Sequence, residues 1–169
     1  FSGNYRNRAT FDSTPVVLLS ARPETRLISN RLISTGPIEA DSAVIVAPEL
    51  AIVSGPFSLQ SEFFYAHVNA DEPLGFWGAY LYGSVFLTGE HRIYNRSNAT
   101  FSRLIPYQVF EPLKGKSLDG GAVELGLRYS LVDLNDRDIR GGQQANLTGG
   151  LNWYARSNLR LILNYIHVR

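Results

Sequence analysis

The most constraining feature of this sequence is the alternation of apolar and polar residues over roughly its last fifty positions. Three runs show it, with apolar residues at every second position of Val123–Leu131, Ala145–Trp153 and Leu159–Tyr165. A repeat of two residues is that of a β-strand whose two faces meet different surroundings. The intervening positions carry charged and amide side chains: Glu124, Arg128, Asn146, Asn152, Arg160 and Asn164. The pattern predicts three antiparallel strands with one apolar and one polar face.

These strands are typical of an outer-membrane β-barrel. A short turn at 154–158 and a longer charged loop at 133–142 connect them, as short and long connections alternate in such barrels. Trp153, Tyr154 and Tyr165 lie where an interfacial aromatic girdle is expected. A soluble sandwich also alternates, but its packed core would have to satisfy each buried charge and amide separately. The pattern therefore favours an all-β, antiparallel outer-membrane barrel.

Composition limits the other classes. The chain has 169 residues, enough for one domain, and it has no cysteine, which excludes a disulfide framework and thiolate metal sites. Its net charge of +1 argues against a nucleic-acid partner. All but two of the 16 cationic side chains are arginine. The planar guanidinium fork matches phosphate oxygens, so local arginine clusters matter even though the total charge nearly cancels.

The remaining chain is predicted as strands and long connections. Residues 2–10 allow a strand with Arg6 and Arg8 on one face, and residues 16–20 are a plausible partner. A long loop is expected over 21–42, a hairpin over 43–68 with its turn at 54–56, and a strand over 76–88. Pro48 within the hairpin requires a bulge or a local edge.

Residues 89–119 are predicted as a long irregular segment. Counting connections places it at the same end as the turns at 54–56 and 154–158, which we expect to be periplasmic. Periplasmic connections are normally short, so a long one there is most simply explained if it folds into the lumen.

Several short motifs occur in a fixed order along nearly the whole chain. They are Arg22-Pro23-Glu24, Asn30-Arg31-Leu32 with Thr35-Gly36, Gly55–Gln60, Phe86–Glu90, Leu134–Gly142, Asn146–Thr148, Gly150–Tyr154 and Leu163–Tyr165. Together they resemble the C-terminal half of the phosphate-selective porin O and P family. The resemblance implies a homotrimer of sixteen-stranded barrels in the bacterial outer membrane, with segments folded into the lumen and an arginine ladder leading to a phosphate-binding constriction.

On this resemblance, residues 1–169 form a single partial barrel domain of about eight strands, without the closing strand. The expected function is that of a passive channel for small anions, either phosphate or polyphosphate, in contact with outer-membrane lipid. A cofactor, a metal ion and an enzymatic activity are not expected. Two alternatives remain open: a non-conducting eight-stranded barrel acting as a structural anchor or adhesin, and a soluble lipocalin-like carrier.

Arginines are the candidate anion-binding residues. The alternation places Arg6, Arg8, Arg128 and Arg160 towards the lumen, and Arg22, Arg26 and Arg31 lie on an inward or vestibular loop. Arg92, Arg96 and Arg103 follow on the segment expected to fold inward. Each arginine has an alternative role as one half of a salt bridge across the wall, for instance Arg128 with Glu124 or Glu62.

One acidic stretch resembles a calcium loop. Asp133, Asn135, Asp136 and Asp138 have some of the required spacing, but Asp138 stands where the EF-hand pattern requires glycine. A hydrogen-bonded turn is the favoured interpretation. The sequence offers no set of nucleophile, base and orienting acid, so it does not predict an enzyme.

Overall fold

The computed structural model describes residues 2–5, 9–11, 14–22, 24, 31–95, 97, 100–111 and 120–169. These residues form thirteen strands: β1 (Ser2–Tyr5), β2 (Ala9–Phe11), β3 (Thr14–Ala21), β4 (Ile33–Glu39), β5 (Ser42–Ala47), β6 (Glu49–Ser54), β7 (Phe57–Asn69), β8 (Leu74–Phe86), β9 (Tyr94–Asn95), β10 (Thr100–Phe101), β11 (Ala122–Asp136), β12 (Ile139–Arg156) and β13 (Leu159–Val168). Within this part of the chain, no helix is long and apolar enough to cross a membrane.

The strands form three antiparallel sheets. The largest has the order β1, β5, β7, β8, β11, β12 and β13, and β6 continues β5 along the same neighbour, β7. We call this sheet the wall. The other two sheets are β2-β3-β4 and the small pair β9-β10. In the described residues the wall is open, with β1 and β13 at its edges, so neither a closed barrel nor the predicted count of eight strands is shown.

The wall has one apolar and one polar face, as the alternation predicts. On one face large apolar side chains are exposed, among them Leu127, Leu163 and Tyr165, the last two at 70% and 74%. On the other face polar side chains are buried, including Glu124, Asn146 and Asn152. This distribution is the reverse of that in a water-soluble sheet and matches a wall between lipid and a polar lumen. We call the polar side the inner face.

The three-stranded sheet packs against one end of the inner face. Ile33 and Ile38 of β4 join Val68, Phe76 and Leu134 of the wall in an apolar cluster. Gly141 allows this close approach, because a Cβ atom there would lie 2.5 Å from the Leu134 carbonyl oxygen and 3.1 Å from the amide nitrogen of Thr35. The inner face of the wall is therefore covered by an apolar cluster at this end.

Pro48 interrupts the first arm of the predicted hairpin. It separates β5 from β6, while its carbonyl oxygen still accepts a hydrogen bond of 3.1 Å from the Phe63 amide. The turn at Gly55-Pro56 then pairs Ser54 with Phe57. Both the hairpin and the irregularity at the proline are confirmed.

Three details differ from the sequence predictions. The loop expected over 21–42 contains β4, which pairs with β3. The strand expected over 2–10 is divided, since β1 joins the wall next to β5 and β2 pairs with β3. The loop expected at 133–142 is a two-residue turn, Arg137-Asp138, where Arg137 has a φ of 47°. The ladder between β11 and β12 continues to that turn, with a shift between Asp133 and Asn135.

Candidate anion-binding face

A buried carboxylate organises one end of the inner face. Glu124 of β11 has an exposed fraction of 0%. Its Oε1 accepts hydrogen bonds from Ser84 Oγ at 2.6 Å and from Arg92 Nε at 3.0 Å. Its Oε2 accepts from Tyr154 Oη at 2.8 Å and from Asn152 Nδ2 at 3.2 Å. Donors from the two neighbouring strands, β8 and β12, and from the connection between β8 and β11 thus converge on one negative charge. A buried carboxylate requires such partners.

Arg92 attaches the connection between β8 and β11 to the wall. Its guanidinium pairs with Glu124 and lies over the rings of Phe86 and Phe101, at 5.9 and 5.5 Å from their centroids. Burial lowers the pKa of Arg92, but the charge of Glu124, the hydrogen bond to Glu124 and the nearby Tyr154 and Tyr82 together outweigh burial and raise the pKa above its ordinary value. Arg92 therefore stays charged while it is largely enclosed.

A cavity of about 550 Å³ beside this pair is lined by four arginines, Arg92, Arg103, Arg156 and Arg160. Three of them donate to neutral oxygens. Arg103 Nε donates to the Ser157 carbonyl, Arg156 Nε to the Phe110 carbonyl at 3.1 Å, and Arg160 Nη2 to Asn152 Oδ1 at 2.8 Å. The described lining residues include no carboxylate, so positive charge dominates this space. We call it the arginine cavity.

A second carboxylate lies farther along the same face. Glu24, in the connection between β3 and β4, accepts hydrogen bonds from Arg128 Nε at 2.6 Å, Ser130 Oγ at 2.7 Å and Thr148 Oγ1. The Arg128 guanidinium stacks on the Tyr80 ring at 3.8 Å from its centroid. Burial raises the pKa of Glu24, but these hydrogen bonds and the charge of Arg128 outweigh it, and the pKa lies below 4.5.

The two regions are joined by a cavity of about 430 Å³. Glu24, Arg128 and Thr148 line one part of it, and Arg160 lines another. Arg160 also lines the arginine cavity and lies over the Tyr154 ring at 4.8 Å. Guanidinium groups therefore follow one another along the inner face.

The structure brings together only some of the predicted arginines. Arg128 and Arg160 lie on the inner face, and Arg92 and Arg103 lie at the arginine cavity. Arg22 and Arg31 are exposed, and the Arg22 carbonyl accepts a long hydrogen bond from Gln144. Arg6, Arg8, Arg26 and Arg96 lie outside the described residues.

Two residues of this face are absent from the sequence prediction. The sequence prediction places Arg156 in a turn. Arg156 is separated from Asn152 and Tyr154 by an even number of positions, and this spacing was the signal that could have placed it on the same face. Glu24 occurs in the quoted Arg-Pro-Glu motif, but the sequence gives no indication of its partners. Arg128 does form a salt bridge, with Glu24 rather than with Glu124 or Glu62.

The acidic stretch at 133–138 forms a hydrogen-bonded turn. Asp133 accepts from the backbone amide of Asn135 and from Gln143, and Asp136 accepts from the Gly75 amide at 2.7 Å. Arg137 pairs with Glu72 at the surface. These carboxylates are engaged by donors of the protein itself.

An antiparallel sheet with one apolar face and one polar face matches the wall of a transmembrane β-barrel. The chain matches the phosphate-selective porin O and P family over residues 4–169 and belongs to it. This is a family of bacterial outer-membrane porins, which implies a channel rather than an enzyme. The resemblance noted in the sequence is confirmed.

A relative extends the comparison. The chain is 34% identical over 146 residues to an uncharacterized protein of Caulobacter vibrioides. The aligned region covers 85% of this chain and 28% of that protein, so the chain spans less than a third of the relative's length. No solved structure matches the chain.

Proposed function

We propose that this chain forms part of a passive outer-membrane channel for small anions, with phosphate or polyphosphate as the preferred ion. The observation that carries the proposal is the arginine cavity. Arg103, Arg156 and Arg160 donate to neutral oxygens, so their charges are not cancelled by those contacts. A guanidinium that keeps free N–H groups offers charge-assisted hydrogen bonds to an oxyanion.

An anion channel also requires release. Binding must be favourable enough for the ion to enter and weak enough at each site for it to leave. Arg92 and Arg128 meet this need, because Glu124 and Glu24 offset much of their charge. Arginines with an offset charge and arginines without one then lie beside each other on the inner face, and an anion passes from one guanidinium to the next.

We propose that two connections between strands narrow the pathway of the anion. The long segment at 89–119 contributes Arg92 and Arg103, and the connection between β3 and β4 contributes Glu24. Arg6, Arg8, Arg22, Arg26, Arg31 and Arg96 are proposed as further pore-lining residues. The full-length protein is proposed to be a homotrimer whose apolar outer face contacts outer-membrane lipid.

The experiment is planar-bilayer recording of the full-length protein in a potassium chloride gradient, with inorganic phosphate added. Arg160→Gln removes one charge from both cavities, and Arg137→Gln, at the opposite end of the wall, removes an equal charge outside them. We expect anion selectivity and block by phosphate. In Arg160→Gln the half-blocking phosphate concentration should rise roughly tenfold, the equivalent of about 1.4 kcal/mol.

Arg137→Gln should leave the block unchanged. Equal block in the two variants would refute the role of the arginine cavity, and cation selectivity would refute the anion channel. A correctly inserted protein that passes no current would support the alternative of a structural anchor or adhesin.

A further inference from the structure

Three side chains of the wall form a ready-made set of donors. Arg128 and Ser130 are two residues apart on β11, and Thr148 on β12 lies directly opposite Arg128 in the ladder. Strand geometry puts all three on the inner face, where they are fixed by the backbone pairing of two long strands. Tyr80 holds the guanidinium from β8 by stacking. The donor set therefore belongs to the wall itself.

The group these donors bind comes from outside the wall. Glu24 belongs to the connection between β3 and β4, and its two oxygens take all three hydrogen bonds. A carboxylate with two oxygens and one negative charge resembles one edge of a small oxyanion such as phosphate. The carboxylate is 16% exposed and borders the cavity of about 430 Å³ that also contains Arg160.

We propose that Arg128, Ser130 and Thr148 form an oxyanion site that Glu24 occupies as an internal competitor. When Glu24 withdraws, the site takes a small oxyanion from the cavity. This inference rests on the proposed function, because the ion must reach the wall through the pore. The inference adds to the proposed function a binding site whose occupancy by an anion is limited by a side chain of the protein.

Competition by Glu24 lowers the apparent affinity of the site. If the carboxylate occupies the donors for most of the time, the apparent dissociation constant rises by the inverse of the free fraction. This keeps the site from becoming a deep trap, which conduction requires. Two of the donors bind one oxygen of Glu24 and the third binds the other, so an ion with two or more oxygens matches the site more closely than a halide, and we expect the site to prefer oxyanions to chloride.

The test is calorimetric titration of the detergent-solubilised full-length protein with inorganic phosphate, and separately with chloride. Glu24→Ala empties the site, and Glu24→Gln keeps the shape while removing the charge. Glu72→Ala is the matched control, since Glu72 pairs with an arginine at the far surface. We expect one additional phosphate per chain in Glu24→Ala, or a phosphate affinity about tenfold higher than in Glu72→Ala.

Adding Arg128→Gln to Glu24→Ala should abolish the gain in phosphate binding. Titration with chloride should show no such gain in Glu24→Ala. The inference is overturned if both Glu24 variants, folded, bind phosphate as the wild type does, or if the gain survives loss of Arg128. Because binding is measured without current, a gain in a protein that conducts no anions would refute the proposed function alone. Anion conduction without a gain in phosphate binding would refute only the proposal that Glu24 competes for the site.

Discussion

Glu124→Gln is the most informative single change, because it keeps the size of the side chain and removes the charge. Whichever way the new amide turns, its amino group faces either Ser84 and Arg92 or Asn152 and Tyr154. The hydroxyl groups can rotate to accept a hydrogen bond, but the guanidinium and the amide nitrogen cannot.

The amide of Asn152 cannot simply flip to compensate, because its oxygen already accepts from Arg160. Both hydrogen bonds from Arg92 are therefore lost in one orientation and the bond from Asn152 is lost in the other, and in both orientations Arg92 loses its counter-charge. Charged hydrogen bonds contribute about 1.5–3 kcal/mol each, and breaking a fully buried ion pair costs about 3–5 kcal/mol. Since Arg92 is partly exposed, at 21%, we expect a loss of about 2–3 kcal/mol.

The free energy of unfolding is measured by urea titration of the folded protein in detergent micelles. Glu72→Gln is the control, because its ion pair with Arg137 is solvent-exposed and should contribute less than about 1 kcal/mol. Limited proteolysis of the 87–111 connection should also become faster in Glu124→Gln. Equal stability of the two variants, with unchanged proteolysis, would refute the view that Glu124 anchors this connection.

Three further predictions concern the wall and the Glu24 contact. The pKa of Glu24 is lowered on folding, so its contribution to stability is present above about pH 4.5 and is lost as the pH falls through the folded-state pKa. The difference in unfolding free energy between wild type and Glu24→Gln should therefore shrink below pH 4.5, and a constant difference would contradict this. Tyr80→Leu removes the stacking on Arg128 and should cost about 1 kcal/mol in urea unfolding, whereas no loss would show that the stacking contributes little. Gly121→Ala should destabilise by at least about 1 kcal/mol, because φ is 88° and the new Cβ would lie 2.5 Å from Trp153 Nε1; wild-type stability in thermal denaturation would contradict it.

The alternation predicted the three long C-terminal strands and the sense of their faces. This succeeded because each residue of β11, β12 and β13 meets either the apolar or the polar side, so the local pattern carries the information. The same reasoning placed Arg128 and Arg160 on the polar face, where the structure has them.

Features that depend on distant contacts were not predictable in this way. β4 contains Gly36 and Pro37 and lacks alternation, and its strand form depends on pairing with β3 and on packing against the wall. The partner of Arg128 is 104 positions away in sequence, so no local pattern indicates Glu24. The turn at 137–138 looked like a loop because its charges are numerous, although its backbone needs only two residues to connect the strands.

The wall encodes strand register at both of its ends. A slip of one residue turns every side chain to the opposite face. Around Glu124 such a slip would push a carboxylate towards the apolar surroundings. Around Val68 and Leu134 it would bring His67 or Asn69, and Asp133 or Asn135, into the apolar cluster beneath β4. Misaligned strands are therefore rejected at both ends of the wall, by a misplaced charge at one end and by polar groups forced among apolar side chains at the other.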